Sequence, residues 1–239
     1  MKTTLIPVLT SILCLHPPAE AAPLTPGRTL GIDFGNAAGV TPHWRTILTK
    51  QGATRNQSAL TDTTGTPIDA VQFEWRFAAE NVYNNDDSED RSEMPGLPAF
   101  PASALGDWMG VNIQKGHEGI TLRFSKLDDT LTYSLTLGGA NAINNNNADT
   151  VWTINGSTSS ETDASDATKA FVTFTSLRTQ GDGSLVIRAH SNQSFNADGK
   201  ALKIAVIASL ALKVEGPAGP ECATLITIGG TSLMLKEGE

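Results

Sequence analysis

The sequence predicts an all-β fold, a two-sheet antiparallel sandwich, on three observations. Apolar residues alternate with polar ones again and again along the chain. The alternating segments are short and end at Gly, Asn or Asp, the residues that favour turns. No stretch of twelve or more residues carries a strong 3.6-residue period, so no long amphipathic helix is expected.

The chain opens on a segment with the features of an export leader. Lys2 supplies a basic start, Leu5 to Leu15 is largely apolar, and Pro17 and Pro18 break it. Ala19-Glu20-Ala21 then places small residues where a signal peptidase reads, so cleavage is expected before Ala22. Residues 1–21 are thus assigned to the leader, 22–215 to one sandwich domain and 216–239 to a C-terminal tail.

Within the domain, Arg28 to Phe34 alternates Leu30, Ile32 and Phe34 to one side and stops at Gly35-Asn36. Asp69 to Phe77 is the clearest strand, with Val71, Phe73, Trp75 and Phe77 facing the core and Gln72, Glu74 and Arg76 facing away. Ile120, Leu122 and Phe124 form the next alternation, and a turn at Lys126–Asp129 leads to Leu131, Tyr133, Leu135 and Leu137. Further strands are expected at Thr150–Asn155, Ala170–Thr175, Ser184–Ala189 and Lys203–Val214. The last could be read with helical spacing through Ile204, Ile207 and Leu210, but its alternation favours a strand. Asn81 to Pro101 reads as a long polar connection, and Asn141 to Asp149 as a solvated loop tip.

Charge and cysteine content exclude several classes. The 239 residues carry a net charge of −8, which gives no electrostatic reason to bind nucleic acid or an anionic membrane face. Of the two cysteines, Cys14 lies in the leader, so Cys222 has no partner for an internal disulfide after cleavage. Stability is therefore expected from an ordinary core or from bound ions.

The order of the segments is similar to that of a family of secreted verrucomicrobial and planctomycete proteins. The residues that carry the resemblance begin with Gly31-Ile32-Asp33-Phe34-Gly35 and His43-Trp44. Ile120-Thr121-Leu122 and the hairpin strand Leu131-Thr132-Tyr133-Ser134-Leu135 follow, then Trp152-Thr153-Ile154-Asn155-Gly156. Asp182-Gly183-Ser184-Leu185-Val186-Ile187 and the closing Ile207-Ala208-Ser209-Leu210-Ala211-Leu212 complete it. Ser209 stands where that family often has Asn. The resemblance covers roughly residues 28 to 215 and implies a galactose-binding-like jelly roll, the architecture of malectin-like and many carbohydrate-binding modules, often with a structural calcium ion. At the other end, Pro220-Glu221-Cys222 and the apolar run to Leu235 resemble a degenerate PEP-type C-terminal sorting signal. That run is shorter than the ~20 residues a membrane-spanning helix needs. It reads either as such a signal or as a loose tail or final strand on the sandwich.

A search for chemistry returns no catalytic motif. There is no Gly-x-Ser-x-Gly elbow and no Ser-x-x-Lys, and Cys222 has no nearby base. His43, His117 and His190 show no metal-ligand spacing. Asp86, Asp87, Glu89 and Asp90 gather oxygen ligands suited to calcium, though their spacing is not that of an EF-hand; a solvated acidic loop is the plainer reading. Glu74 and Glu118 are conceivable partners in a glycosidase pair, but a solvent-facing role explains Glu74 equally well.

Sugar binding needs an aromatic platform and a few polar groups, because sugar C–H faces pack on rings. Trp75 and Trp152 lie among core residues, which leaves Trp44, Tyr83 and Trp108 as platform candidates. The expected function is an exported, non-catalytic module that binds glycan or associates with the cell envelope and its polysaccharide. The alternatives are a structural surface protein without a small ligand and, further off, a hydrolase with an unfamiliar site.

Overall fold

The computed structural model describes residues 23–34, 42–47, 55–57, 59–77, 82–85, 100–101, 108–114, 119–138, 149–163, 169–191, 200–218, 224–228 and 231–235. Every regular element among them is a strand. The first seven are β1 (Thr29–Phe34), β2 (Arg45–Ile47), β3 (Arg55–Gln57), β4 (Leu60–Thr61), β5 (Pro67–Ile68), β6 (Gln72–Phe77) and β7 (Val82–Asn85). Next come β8 (Trp108–Gln114), β9 (Ile120–Ser125), β10 (Leu131–Gly138), β11 (Asp149–Ile154), β12 (Thr158–Asp163) and β13 (Phe171–Leu177). The chain ends with β14 (Leu185–Ser191), β15 (Lys200–Ile207), β16 (Ser209–Pro217), β17 (Thr224–Ile228) and β18 (Thr231–Leu235).

The strands form a jelly-roll sandwich of two principal sheets. One has the order β13-β10-β16-β1-β2, the other β12-β11-β14-β9-β6-β3. All pairings in them are antiparallel except that of β1 with β2. Alternation decides which residues enter the core, because successive side chains point to opposite faces. On the six-stranded sheet, register aligns Trp75, Leu122, Ile187 and Ile154 in one transverse row. Phe73, Phe124 and Leu185 form the adjacent row. On the five-stranded sheet, Leu30, Leu212, Leu135 and Phe174 align, beside Ile32, Leu210 and Leu137. All of these are buried in one cluster, and Phe34 meets Phe73 edge-on across the layers at 6.3 Å.

Lys203–Val214, expected as one strand, is two. β15 and β16 meet at Ala208 and belong to different sheets. β15 joins β8 and β7 in a three-stranded sheet, and Ala205, Val206 and Ile207 are buried on both of its faces. Thr150 of β11 fastens this sheet to the six-stranded one: its hydroxyl oxygen accepts from Val206 N at 2.8 Å and lies 3.4 Å from Val206 O. Asn81 to Pro101 also differs from expectation, since residues 82–85 within it are strand. β17 and β18 pair with each other as a separate two-stranded sheet. No helix among the described residues is long and apolar enough to cross a membrane.

Candidate functional site

Two of the three aromatic platform candidates come together on the β7–β8 ladder. Register sets Asn85 opposite Trp108, Asn84 opposite Met109 and Tyr83 opposite Gly110. Residues directly opposite share a face, and so do residues two apart on one strand. Tyr83, Asn85 and Trp108 therefore occupy one face of the ladder. The other face carries Met109, which is fully buried in the core. β8 is held on its far side by β15, with Met109 opposite Ile207. The ladder thus brings two aromatic residues and an amide onto adjacent, paired strands.

Trp44 is built into a different place. It precedes β2, and its indole lies against Gly31 so closely that a Cβ there would stand 2.3 Å from Trp44 Cδ2. Phe100 tilts over Trp44 at 5.3 Å and over Phe171 at 5.3 Å. Phe171 in turn crosses Gly138, where an added Cβ would be 1.8 Å from its ring. Trp44, Phe100 and Phe171 form an arch over the outer face of the five-stranded sheet, resting on Gly31, Ala211 and Gly138. Trp44 is 7 % exposed, so the arch occupies most of its surface. Trp75 and Trp152 lie in the core, as their neighbours in the sequence suggest.

A polar groove of about 530 Å³ opens between the edge of β13 and the turn from β11 to β12. Ile154, Phe174 and Leu177 contribute its apolar part, and Ser157, Thr175 and Ser176 its hydroxyls. Asn155 holds its backbone, donating from Nδ2 to Arg178 O at 3.0 Å and accepting at Oδ1 from Val186 N at 2.9 Å. Asn155 and Ser176 both adopt positive φ, 51° and 55°. Among the described residues no carboxylate, histidine or cysteine lines the groove. Neither motif nor periodicity in the sequence signals it, because edge strands from different sheets create it.

Among the described residues no group of three His, Cys, Asp or Glu side chains is arranged to hold a metal. Asp86, Asp87, Glu89 and Asp90 lie outside the described residues, as does Glu118. Glu74 pairs across the ladder with Arg123, on the face of β6 away from the core. The displaced titrations belong to turn and strand supports. Burial raises the Tyr133 phenol to about 12, and its hydroxyl donates to Asp128 O while accepting from Asp128 N. Asp128 is lowered by hydrogen bonds from Thr130, Asp182 by those from Ser184, and Glu215 by Ser134 and Lys213.

No family model and no curated protein sequence matches the chain. Among solved structures it is similar to the ANXUR1 extracellular domain from Arabidopsis thaliana, at 13 % identity and a TM-score of 0.41. That likeness covers 81 % of this chain and 50 % of the other, so this chain spans about half the length of the protein it matches. At that score it carries no argument about function.

Proposed function

We propose that the chain is an exported, non-catalytic β-sandwich module that binds glycan at the β7–β8 ladder. The observation that carries this reading is the register that brings Tyr83 and Trp108 together on paired strands, with Trp108 opposite Asn85 and Tyr83 opposite Gly110. Aromatic rings offer sugar C–H faces a platform, and a neighbouring amide takes hydroxyl hydrogen bonds. The leader at residues 1–21 supports export. The tail hairpin β17–β18, read as a sorting segment, would keep the module at the envelope.

Retention of the full chain on a panel of immobilised polysaccharides, with and without calcium, tests this reading. Binding is expected to weaken roughly tenfold in Tyr83→Ala and in Trp108→Ala, as loss of a ring contact worth about 1 kcal/mol or slightly more would produce. Undiminished binding in the double variant would remove the ladder from the reading. A chain that binds no polysaccharide under either condition would be a structural surface protein instead.

A further inference from the structure

β13 is the outermost strand of its sheet, with β10 on one side and no strand on the other among the described residues. A regular free edge invites a further strand, and a bulge is one way to blunt it. β13 carries a bulge: Leu135 faces Phe174 and Tyr133 faces Leu177, so Thr175 and Ser176 together stand opposite Ser134. The extra residue lets Phe174 and Leu177 both enter the core and leaves Thr175 and Ser176 exposed along the groove. Ser176 takes a φ of 55° to do so, a left-handed conformation that glycine adopts freely and serine does not. Asn155 also has positive φ, but it and Gly156 are the central pair of a type I′ turn closed by Ser157 N donating to Ile154 O, where that φ is ordinary. At Ser176 glycine would fit the bulge better, and the chain keeps a hydroxyl there at the cost of backbone strain.

We propose that the groove beside β13 binds one or two uncharged sugar units, with Ser157, Thr175 and Ser176 as its polar contacts. Its volume of about 530 Å³ lies within the range of small-ligand sites. Apolar surface from Ile154, Phe174 and Leu177 lies beside three hydroxyls. That pairing suits a sugar, whose C–H faces pack on apolar surface while its hydroxyls both donate and accept. Arg178 is the one charged residue of the lining; it has an interaction of its own, and its carbonyl accepts from Asn155 Nδ2. Recognition therefore rests on the hydroxyls, which fits an uncharged ligand. The bulge interrupts the ladder that an extended peptide would follow along β13, which sets a peptide aside. Asn155 is a positioning residue, since its bonds to Arg178 O and Val186 N clasp the β11–β12 turn to the end of β13. The inference takes its ligand class from the glycan reading but does not need the β7–β8 ladder.

Titration of the full chain with neutral di- and trisaccharides, read by ligand-observed nuclear magnetic resonance, tests the groove. Oligosaccharides that contain uronic acid serve as the charged comparison. A neutral member should bind, and Ser176→Ala and Thr175→Val should each weaken it roughly threefold to tenfold. Ser176→Gly should weaken binding as Ser176→Ala does, yet raise the melting midpoint by roughly 2–4 °C, because it relieves the strain while it removes the hydroxyl. Opposite movement of stability and affinity marks a residue kept for its side chain. The Tyr83→Ala, Trp108→Ala double variant should keep this binding, so failure of the ladder leaves the groove standing. Binding of no neutral member would overturn the proposal, as would undiminished binding in both Ser176→Ala and Thr175→Val. Preference for the uronic acid set would do the same. Should Ser176→Ala fail to fold, Thr175→Val decides by the same titration.

Discussion

Asp62 lies just beyond β4 and closes the first turn of the domain against the strand that opens it. Its Oδ1 accepts from Thr64 N, Thr64 Oγ1 and Thr66 N, and its Oδ2 from Arg28 Nε at 2.9 Å. Burial alone would raise its pKa, but the hydrogen bonds from Thr64, Arg28 and Thr66 outweigh it and hold the carboxyl at about 2. An unfolded Asp titrates near 3.9, so Asp62 binds its proton less readily in the folded chain. Its stabilising contribution is therefore complete above about pH 4 and is lost as pH falls from 4 to 2. Chemical denaturation of Asp62→Asn should show a loss on the order of 2 kcal/mol at pH 7, shrinking toward zero at pH 2. Gly31→Ala is a second test at this scale. The new methyl displaces the Trp44 indole, so the melting midpoint should fall and tryptophan emission should shift to the red. Nothing in the sequence marks either residue's structural role, and only the partners that folding brings to them reveal it.

Thr150 shows how an element's identity can rest on one hydroxyl. β15 makes its ladder with β8 on one side, and on the other Val206 finds the Thr150 side chain. Thr150→Val keeps the shape and leaves a buried Val206 N–H unmet, which should cost about 1–3 kcal/mol by urea denaturation. Thr150→Ser should recover most of that loss. The strands legible in the sequence alternate apolar with other residues; in β6, β9 and β14 this gives one dry face and one wetter one, while β1 is buried on both. β12 was missed, because its sequence Thr-Ser-Ser-Glu-Thr-Asp carries no apolar period and only its pairing with β11 makes it a strand. The join between β15 and β16 was missed for the opposite reason. Residues 205–210 are buried on every side, so alternation runs through Ala208 without marking the change of sheet.

At the scale of the whole molecule, the first strand of the domain pairs with the last core strand, β1 with β16. Such pairing across nearly the whole domain makes folding slow, because loop closure precedes the contacts that reward it. β16 lies between β10 and β1 in the middle of its sheet, whereas β17 and β18 pair, among the described residues, with each other alone. Truncation after Ile207 should abolish cooperative unfolding by circular dichroism. Truncation after Ala218 should leave the melting midpoint within about 1 °C.

The sequence by itself determined the all-β class, the residues of the two dry faces and the core placement of Trp75 and Trp152. Each of these follows from a period of two, a property of neighbouring residues. Tertiary structure decided the rest, because register between distant strands is not a local property. It put Tyr83 and Trp108 on one face of a ladder and took Trp44 away to an arch over Gly31 and Gly138. It also opened the groove between the edge of β13 and the turn from β11 to β12, strands of different sheets that only folding brings together.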